Sequence, residues 1–235
     1  LLEILETHYP EFEEEVVSKE KVFKQLFPKE KLDKQKLRYV MTDLTRLLED
    51  YLVEQELADD EVAKRHFLLR ALNKRKLRKY AEQHKRKAFK ELEKNPLRDE
   101  KYQQDLLILE EDAYLLSSAQ DTRALDSDLQ QLSSHINASF LSKKLRYTCE
   151  IINRMNVLGA KYDLPFLPKI LEYLKKTPHD EVPSIAVYYK ILLTLQEPEN
   201  EKHYQELKQL LPKWLEQFST QEMRDMWGFA QNYCI

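Results

Sequence analysis

The stretch KQKLRYVMTDLTRLLEDYL, residues 34–52, decides the fold class. Its apolar residues between Leu37 and Leu52 recur with the spacing of one helix face, and Asp33, just before the stretch, is a natural helix cap. The whole chain has only two glycines, Gly159 and Gly228, which leaves no glycine-rich phosphate loop and no series of tight hairpins. With 42% apolar and 34% charged residues, the sequence predicts an all-α protein and excludes nucleotide-binding α/β and all-β folds.

The same spacing predicts further helices along the chain. Their expected ranges are 60–72, 76–93, 99–116, 125–155, 166–176, 184–196, 200–217 and 220 to the end. Segment 125–155 is either one helix or two helices that meet near residues 137–142, and the five-residue interval between Phe140 and Leu145 favours the break. Gly159 is expected to end this segment, because glycine readily adopts the left-handed conformation that stops a helix. Ser219 and Glu222 have the spacing of a capping box at the start of the last helix.

The helix starts near residues 145, 184 and 219 are separated by 39 and 35 positions. Intervals of this size are typical of stacked helical repeats. We therefore expect an N-terminal helical bundle over residues 1–120 and a helical-repeat region over 121–235, in which antiparallel helix pairs form a degenerate α-solenoid of tetratricopeptide type. The last residues stop within an apolar helical pattern, which predicts that the repeat region is truncated at its C-terminal end.

Four segments resemble a group of uncharacterised bacterial all-helical proteins of tetratricopeptide-like type. They are LRDEKYQQDLLILEEDAYL (97–115), LDSDLQQLSSHINASFLSKKLRYTCEIINRMNVLG (125–159), VPSIAVYYKILLTL (182–195) and FSTQEMRDMWGFAQNYCI (218–235). The resemblance spans most of the chain and implies a bacterial origin and the helical-repeat fold. It implies no activity, cofactor or catalytic residue.

Positive charge is concentrated between Lys64 and Lys90. This segment has twelve lysines and arginines against one acid, Glu82, a net charge of +11 in a chain whose total is −3. Such a helix can lie along a nucleic-acid backbone or another acidic surface. The candidate residues for an anionic partner are Arg70, Lys74, Arg75, Arg78, Lys79, Lys85 and Arg86. The alternative is that the acidic helix from Asp99 to Asp112 packs beside this segment and balances it. Tyr80 is expected on the buried stripe, which leaves little aromatic surface for base stacking.

Aromatic and amide side chains are concentrated on the C-terminal helices. In a solenoid such residues can line a concave surface that binds a peptide. The candidate residues for a protein partner are Asn153, Arg154, Tyr188, Tyr189 and Asn232. The alternative is that most of the aromatic rings form the core between repeats.

The sequence contains no recognisable catalytic or metal-binding pattern. The six histidines are scattered without ligand spacing, so we expect no metal and no cofactor, although His84 falls on a buried helix face. Cys149 and Cys234 are expected to be buried free thiols, which suits the cytoplasm, and no apolar run is long enough for a membrane span. The leading hypothesis is a non-enzymatic, cytoplasmic protein-protein interaction or scaffold module. The alternative is a nucleic-acid-binding or regulatory protein that uses segment 64–90.

Overall fold

The computed structural model describes residues 1–13, 17–117, 125–177 and 179–233. Within these ranges the chain forms α-helices and one short 3-10 helix, and the described residues include no β-strand, which confirms the all-α prediction. The helices are α1 Leu2–Glu6, α2 Lys19–Leu26, α3 Lys34–Asp59, α4 Glu61–Lys74, α5 Arg78–Lys94, α6 Glu100–Ser117, α7 Leu125–Leu158, α8 Leu167–Lys176, α9 Pro183–Gln196, α10 Glu201–Trp214 and α11 Thr220–Tyr233, with the 3-10 helix at Leu215–Gln217.

The chain divides into two compact units, Leu1–Glu61 and Val62–Ile235. The predicted boundary between residues 120 and 121 lies outside the described residues. In the first unit, Val22 and Phe23 of α2 pack with Leu37 near the start of α3. Asp33 caps α3 as predicted, because its carboxylate accepts hydrogen bonds from the backbone N–H groups of residues 35 and 36.

The second unit is built around α7. Helix α6 runs antiparallel to α7, since Glu110 lies beside Gln131 while Glu100 lies beside Arg146 near the other end of the contact. Helix α9 runs parallel to α7, because successive contacts advance together along both helices: Ser142 with Ser184, Cys149 with Tyr188 and Asn156 with Leu195. The main core joins residues of α7 to α11. A smaller apolar cluster joins α4, α5 and α6.

Helix α7 is continuous from Leu125 to Leu158, so the predicted break near residues 137–142 is wrong. The buried face of α7 runs through Ala138, Ser142, Leu145 and Cys149, at helical spacing. Phe140, taken from the sequence as a core residue, is exposed. The small residues Ala138 and Ser142 continue the buried face, where the sequence analysis expected a large apolar residue. The five-residue interval between Phe140 and Leu145 therefore does not mark a break in the helix.

The structure shows how the end of α7 and the start of α11 are formed. Gly159 adopts the left-handed conformation that ends α7, as predicted. At the start of α11 only half of the capping box forms, since Ser219 Oγ accepts a hydrogen bond from the N–H of Glu222. The carboxylate of Glu222 accepts a hydrogen bond from Tyr188 in the core instead of returning to Ser219.

Candidate functional site

A basic surface covers the solvent-facing side of α5. Ala81, Ala88 and Leu92 form the buried side of this helix and pack in the smaller core cluster or beside it. With 3.6 residues per turn, the opposite side holds four exposed basic residues. These residues are Lys79, Arg86, Lys87 and Lys90.

The turn between α4 and α5 extends the basic surface. Lys76 has a positive φ of 58°, and backbone hydrogen bonds from Lys76 N to Asn73 O and from Leu77 N to Leu72 O close the end of α4. This tight turn places the basic end of α4 directly before the basic start of α5. Further exposed basic residues lie on or beside this turn: Arg70, Lys74, Arg75, Lys76 and Arg78. We call these five residues, with the four of α5, the basic surface.

Helix α6 packs against α5, as the alternative interpretation expected, and Asp112 of α6 lies near Arg70 of the basic segment. Glu100 contacts Arg146 and Lys143, Glu110 contacts Gln131 and His135, and Asp112 contacts His66. Among the described residues, Lys79, Arg86, Lys87 and Lys90 form no ion pair. Lys85 is another of the candidate residues. It is half-buried and its Nζ lies 3.1 Å from Glu82 on the same helix.

The surroundings of the basic surface reflect its charge. The pKa of His84 is lowered, first by burial and then by the positive charges of Lys87 and Arg65. Tyr80 was predicted on the buried stripe, but its side chain is 57% exposed, so that prediction is wrong. An exposed aromatic ring one residue from Lys79 adds a surface on which a base can stack.

A separate groove lies between α8, α9 and α10. It has a volume of about 510 Å³, and Tyr189 is among its lining residues, together with Leu174, Ile185 and Leu210. Lys190 and Glu206 form an ion pair at its edge, with 2.5 Å between Nζ and Oε2. The groove therefore combines an apolar floor with a charged rim, which suits a peptide or protein segment.

The other candidate residues for a protein partner are not brought together with Tyr189. Tyr188 is fully buried, so its prediction as a partner-binding residue is wrong. Asn153 and Arg154 lie on α7 and do not line the groove, and Arg154 is paired with Glu150 on the same helix. The side chain of Asn232 lies outside the described part of the chain.

No pattern in the sequence predicts the buried polar cluster around Arg146. Nη1 of Arg146 lies 3.3 Å from Glu100 Oε2, and Nη2 lies 3.0 Å from Asp225 Oδ2. Glu222 Oε1 lies 3.8 Å from the same arginine and accepts a hydrogen bond of 3.0 Å from the Tyr188 hydroxyl. These contacts join α6, α7, α9 and α11. The cluster members are far apart in sequence, so no local spacing could reveal them.

The carboxyl of Glu222 has an unusual protonation equilibrium. Burial and, after it, the nearby Asp99 raise its pKa to about 7, and Tyr188 and Arg146 only partly oppose these effects. A carboxyl with such a pKa can exchange protons near neutrality, but its Oε2 atom is sealed in the protein interior without a hydrogen-bond partner among the described residues. Glu222 is therefore part of the protein interior and not of the exposed surface.

Cys149 is a free, fully buried thiol that donates to the carbonyl of Tyr188, as the sequence predicted for its burial. Burial raises its pKa well above the ordinary range, so the thiol stays protonated and is a poor nucleophile. Cys234 lies outside the described residues. Across the ranges that the structure describes, no three histidine, cysteine or acidic residues are grouped as a metal site. None of the described helices combines the length and apolar character that a membrane span requires.

Comparisons with protein-family models, with curated proteins and with solved structures find no match to this chain.

Proposed function

We propose that this chain is a non-catalytic nucleic-acid-binding protein whose binding site is the basic surface of α4 and α5. The observation that carries the proposal is that Lys79, Arg86, Lys87 and Lys90 share one exposed helix side and have no ionic partner among the described residues. Four uncompensated cations on one side of a helix attract a polyanion, because each phosphate contact releases condensed counterions.

The dimensions of this surface suit a phosphate backbone. From Lys79 to Lys90 the helix rises about 16 Å, which corresponds to about five phosphates along one strand of a duplex. The basic turn between α4 and α5 lengthens the basic surface at the N-terminal end of α5. Tyr80 lies beside the basic surface with its ring exposed, and stacking on an aromatic ring favours unpaired bases over paired ones. These features favour single-stranded nucleic acid.

The test is a titration of fluorescently labelled single-stranded and duplex oligonucleotides, followed by anisotropy at several salt concentrations. If four side chains neutralise phosphates, the logarithm of the association constant falls against the logarithm of salt with a slope of about −4 for a duplex and about −3 for a single strand. The variant Lys79→Glu/Arg86→Glu/Lys90→Glu should bind at least about tenfold more weakly, with a shallower slope.

A control variant separates this local surface from the total charge of the protein. Lys161, Lys202 and Lys208 are exposed lysines of the same unit, and their replacement by glutamate changes the net charge by the same amount. The control should bind as tightly as the native chain. Equal weakening in both triple variants would mean that long-range charge alone is responsible. Undetectable binding at low salt would refute the proposed function.

A second candidate function is protein binding, for which the groove between α8, α9 and α10 is the favouring observation. In this interpretation residues 125–233 form a degenerate α-solenoid that acts as a scaffold. The contacts between α7 and α9 support it, because Cys149 and Tyr188, and likewise Asn156 and Leu195, are 39 positions apart, the interval expected between successive repeats.

The second function is tested by panning a displayed peptide library against the native chain. Peptides that occupy the groove should lose binding to the variant Tyr189→Ser and keep binding to Lys79→Glu/Arg86→Glu/Lys90→Glu. The reverse pattern would assign any peptide binding to the basic surface. For either function we propose a reducing compartment, the cytoplasm, because a free cysteine is retained in the core.

A further inference from the structure

Helix α3 carries an exposed apolar seam. Leu37, Val40, Leu44, Leu47 and Tyr51 follow one another at alternating intervals of three and four residues, which is the seam of a coiled coil over two heptads. The packing of the first unit buries Leu37 at one end of this seam. Further along, Leu47 is 62% and Tyr51 54% exposed.

The seam is flanked by more exposed apolar surface. Leu48, Leu52 and Val53 are exposed beside it, and Leu52 is 61% exposed. A contiguous apolar stripe of this size on a helix of 26 residues is typical of a surface that another chain covers. The helix is about 39 Å long, so the stripe is long enough for a helix of equal length to pack along it.

The charge of α3 is divided at its midpoint. The first thirteen residues, 34–46, have four basic residues and one acid, Asp43, which lies 3.4 Å from Arg46. The last thirteen residues, 47–59, have five acids and no basic residue. The two halves therefore carry net charges of +3 and −5.

We propose that α3 is a self-association helix that pairs antiparallel with α3 of a second copy of this chain. Antiparallel pairing sets the basic half of each helix beside the acidic half of the other and covers both apolar seams. Parallel pairing would set two acidic halves side by side, and like charges across a helix pair oppose association. Charge complementarity thus selects the partner and the orientation together.

Light scattering after size-exclusion chromatography tests the stoichiometry. The native chain should elute with twice its 28.3 kDa mass at micromolar concentration, and the association constant should fall severalfold as salt is raised. Two charge-reversed variants are informative, the first with Lys34→Glu/Arg38→Glu/Arg46→Glu and the second with Glu49→Lys/Glu54→Lys/Glu56→Lys. Each should associate with itself at least about tenfold more weakly, and their equimolar mixture should restore the dimer. All six positions are exposed, so the substitutions leave the core intact.

Cross-linking tests the orientation. In a chain with Cys234→Ser, the single variants Lys34→Cys and Asp59→Cys place a reactive thiol at opposite ends of α3, about 37 Å apart along the axis. Cys149 is fully buried and does not compete for the reagent. A short bismaleimide should cross-link a mixture of the two variants and neither variant alone.

Three results would overturn the proposal. The first is a monomer at every concentration, which would mean that α3 is covered within its own chain or by a different protein. The second is a dimer whose association constant is unchanged in both charge-reversed variants. The third is cross-linking of each cysteine variant with itself, which would establish a parallel pair.

Discussion

Replacing Glu222 by glutamine tests the buried polar cluster that joins α6, α7, α9 and α11. The cluster gathers three carboxyl groups around Arg146, and Lys143 is a second cation on Glu100, so the carboxyl groups still outnumber the cations. We expect the variant to gain stability over the native chain, and the gain to be larger at pH 8 than at pH 5. Glutamine retains an oxygen that can accept the hydrogen bond from Tyr188 and removes the charge.

The magnitude follows from the pKa of Glu222, which burial and Asp99 raise from an ordinary value of 4.5 to about 7. Between these two pH values the folded protein holds a proton at Glu222 that the unfolded chain has released. The free energy of unfolding therefore falls as pH rises through this window. At about 1.4 kcal/mol for each pKa unit, the ionised side chain costs about 3 kcal/mol above pH 7. The attraction to Arg146 is already included in this value.

The assay is urea unfolding of both proteins at pH 5 and pH 8, followed by the fluorescence of Trp214 and Trp227. The informative quantity is the difference between variant and native free energies of unfolding at each pH, because other titrating groups cancel in it. Glu172→Gln is the control, since Glu172 is exposed and its pKa is lowered by Lys176 and Lys169. The control should give the same difference at both pH values.

A Glu222→Gln variant that is less stable than the native chain at pH 8 would refute this reasoning. It would mean that the ionised carboxylate is a net stabilising partner of Arg146. A difference that does not change between pH 5 and pH 8 would mean that the folded and unfolded chains bind the same number of protons at Glu222 in this range, against a raised pKa.

Further predictions concern the proposed binding site and the core. Tyr80→Ala should weaken binding of single-stranded oligonucleotides by about 1–3 kcal/mol in anisotropy titrations and affect duplexes less, whereas equal losses would exclude stacking. His66→Ala should lower the free energy of unfolding at pH 7 by about 1–3 kcal/mol in urea, because it leaves the buried Asp112 without its partner at 2.6 Å, and unchanged stability would contradict this. Leu145→Ala should lower the free energy of unfolding by about 2–5 kcal/mol in the same assay, and Phe140→Ala should lower it much less. The opposite order would mean that Phe140 lies on the buried face of α7.

The sequence predicts those parts of the fold that depend on local spacing and local chemistry. Helix α3, its cap at Asp33 and the stop at Gly159 are all found where the sequence places them. The break in α7 was wrong because the interpretation assumed that a buried helix face consists of large apolar residues. In α7, Ser142 is fully buried and bonded both to the carbonyl of Ala138 and to Ser184 of α9. A buried serine is recognisable only when its partner on another helix is known.

The candidate residues illustrate the same limit. Tyr188 and Tyr189 are neighbours in sequence and equal in chemistry, yet one is fully buried and the other lines a groove. Successive residues point about 100° apart on a helix, and which direction faces the core depends on the elements packed around α9. The cluster around Arg146 is even harder to predict from the sequence, because its members are distributed over four helices.

Charge patterns were readable in the sequence, but their meaning depends on which charges find partners. The basic side of α5 retains repulsion between Arg86 and Lys90, one turn apart, and a like-charged pair of this kind costs about 0.2–0.5 kcal/mol. Neither residue forms an ion pair with a described carboxylate, and a bound polyanion would relieve the repulsion. Added salt screens the repulsion within the helix and also competes for the polyanion. Under the proposed function, raising the salt concentration should therefore stabilise the fold slightly and at the same time weaken nucleic-acid binding. If these charges had a purely structural role, salt would change the stability without any effect on nucleic-acid binding.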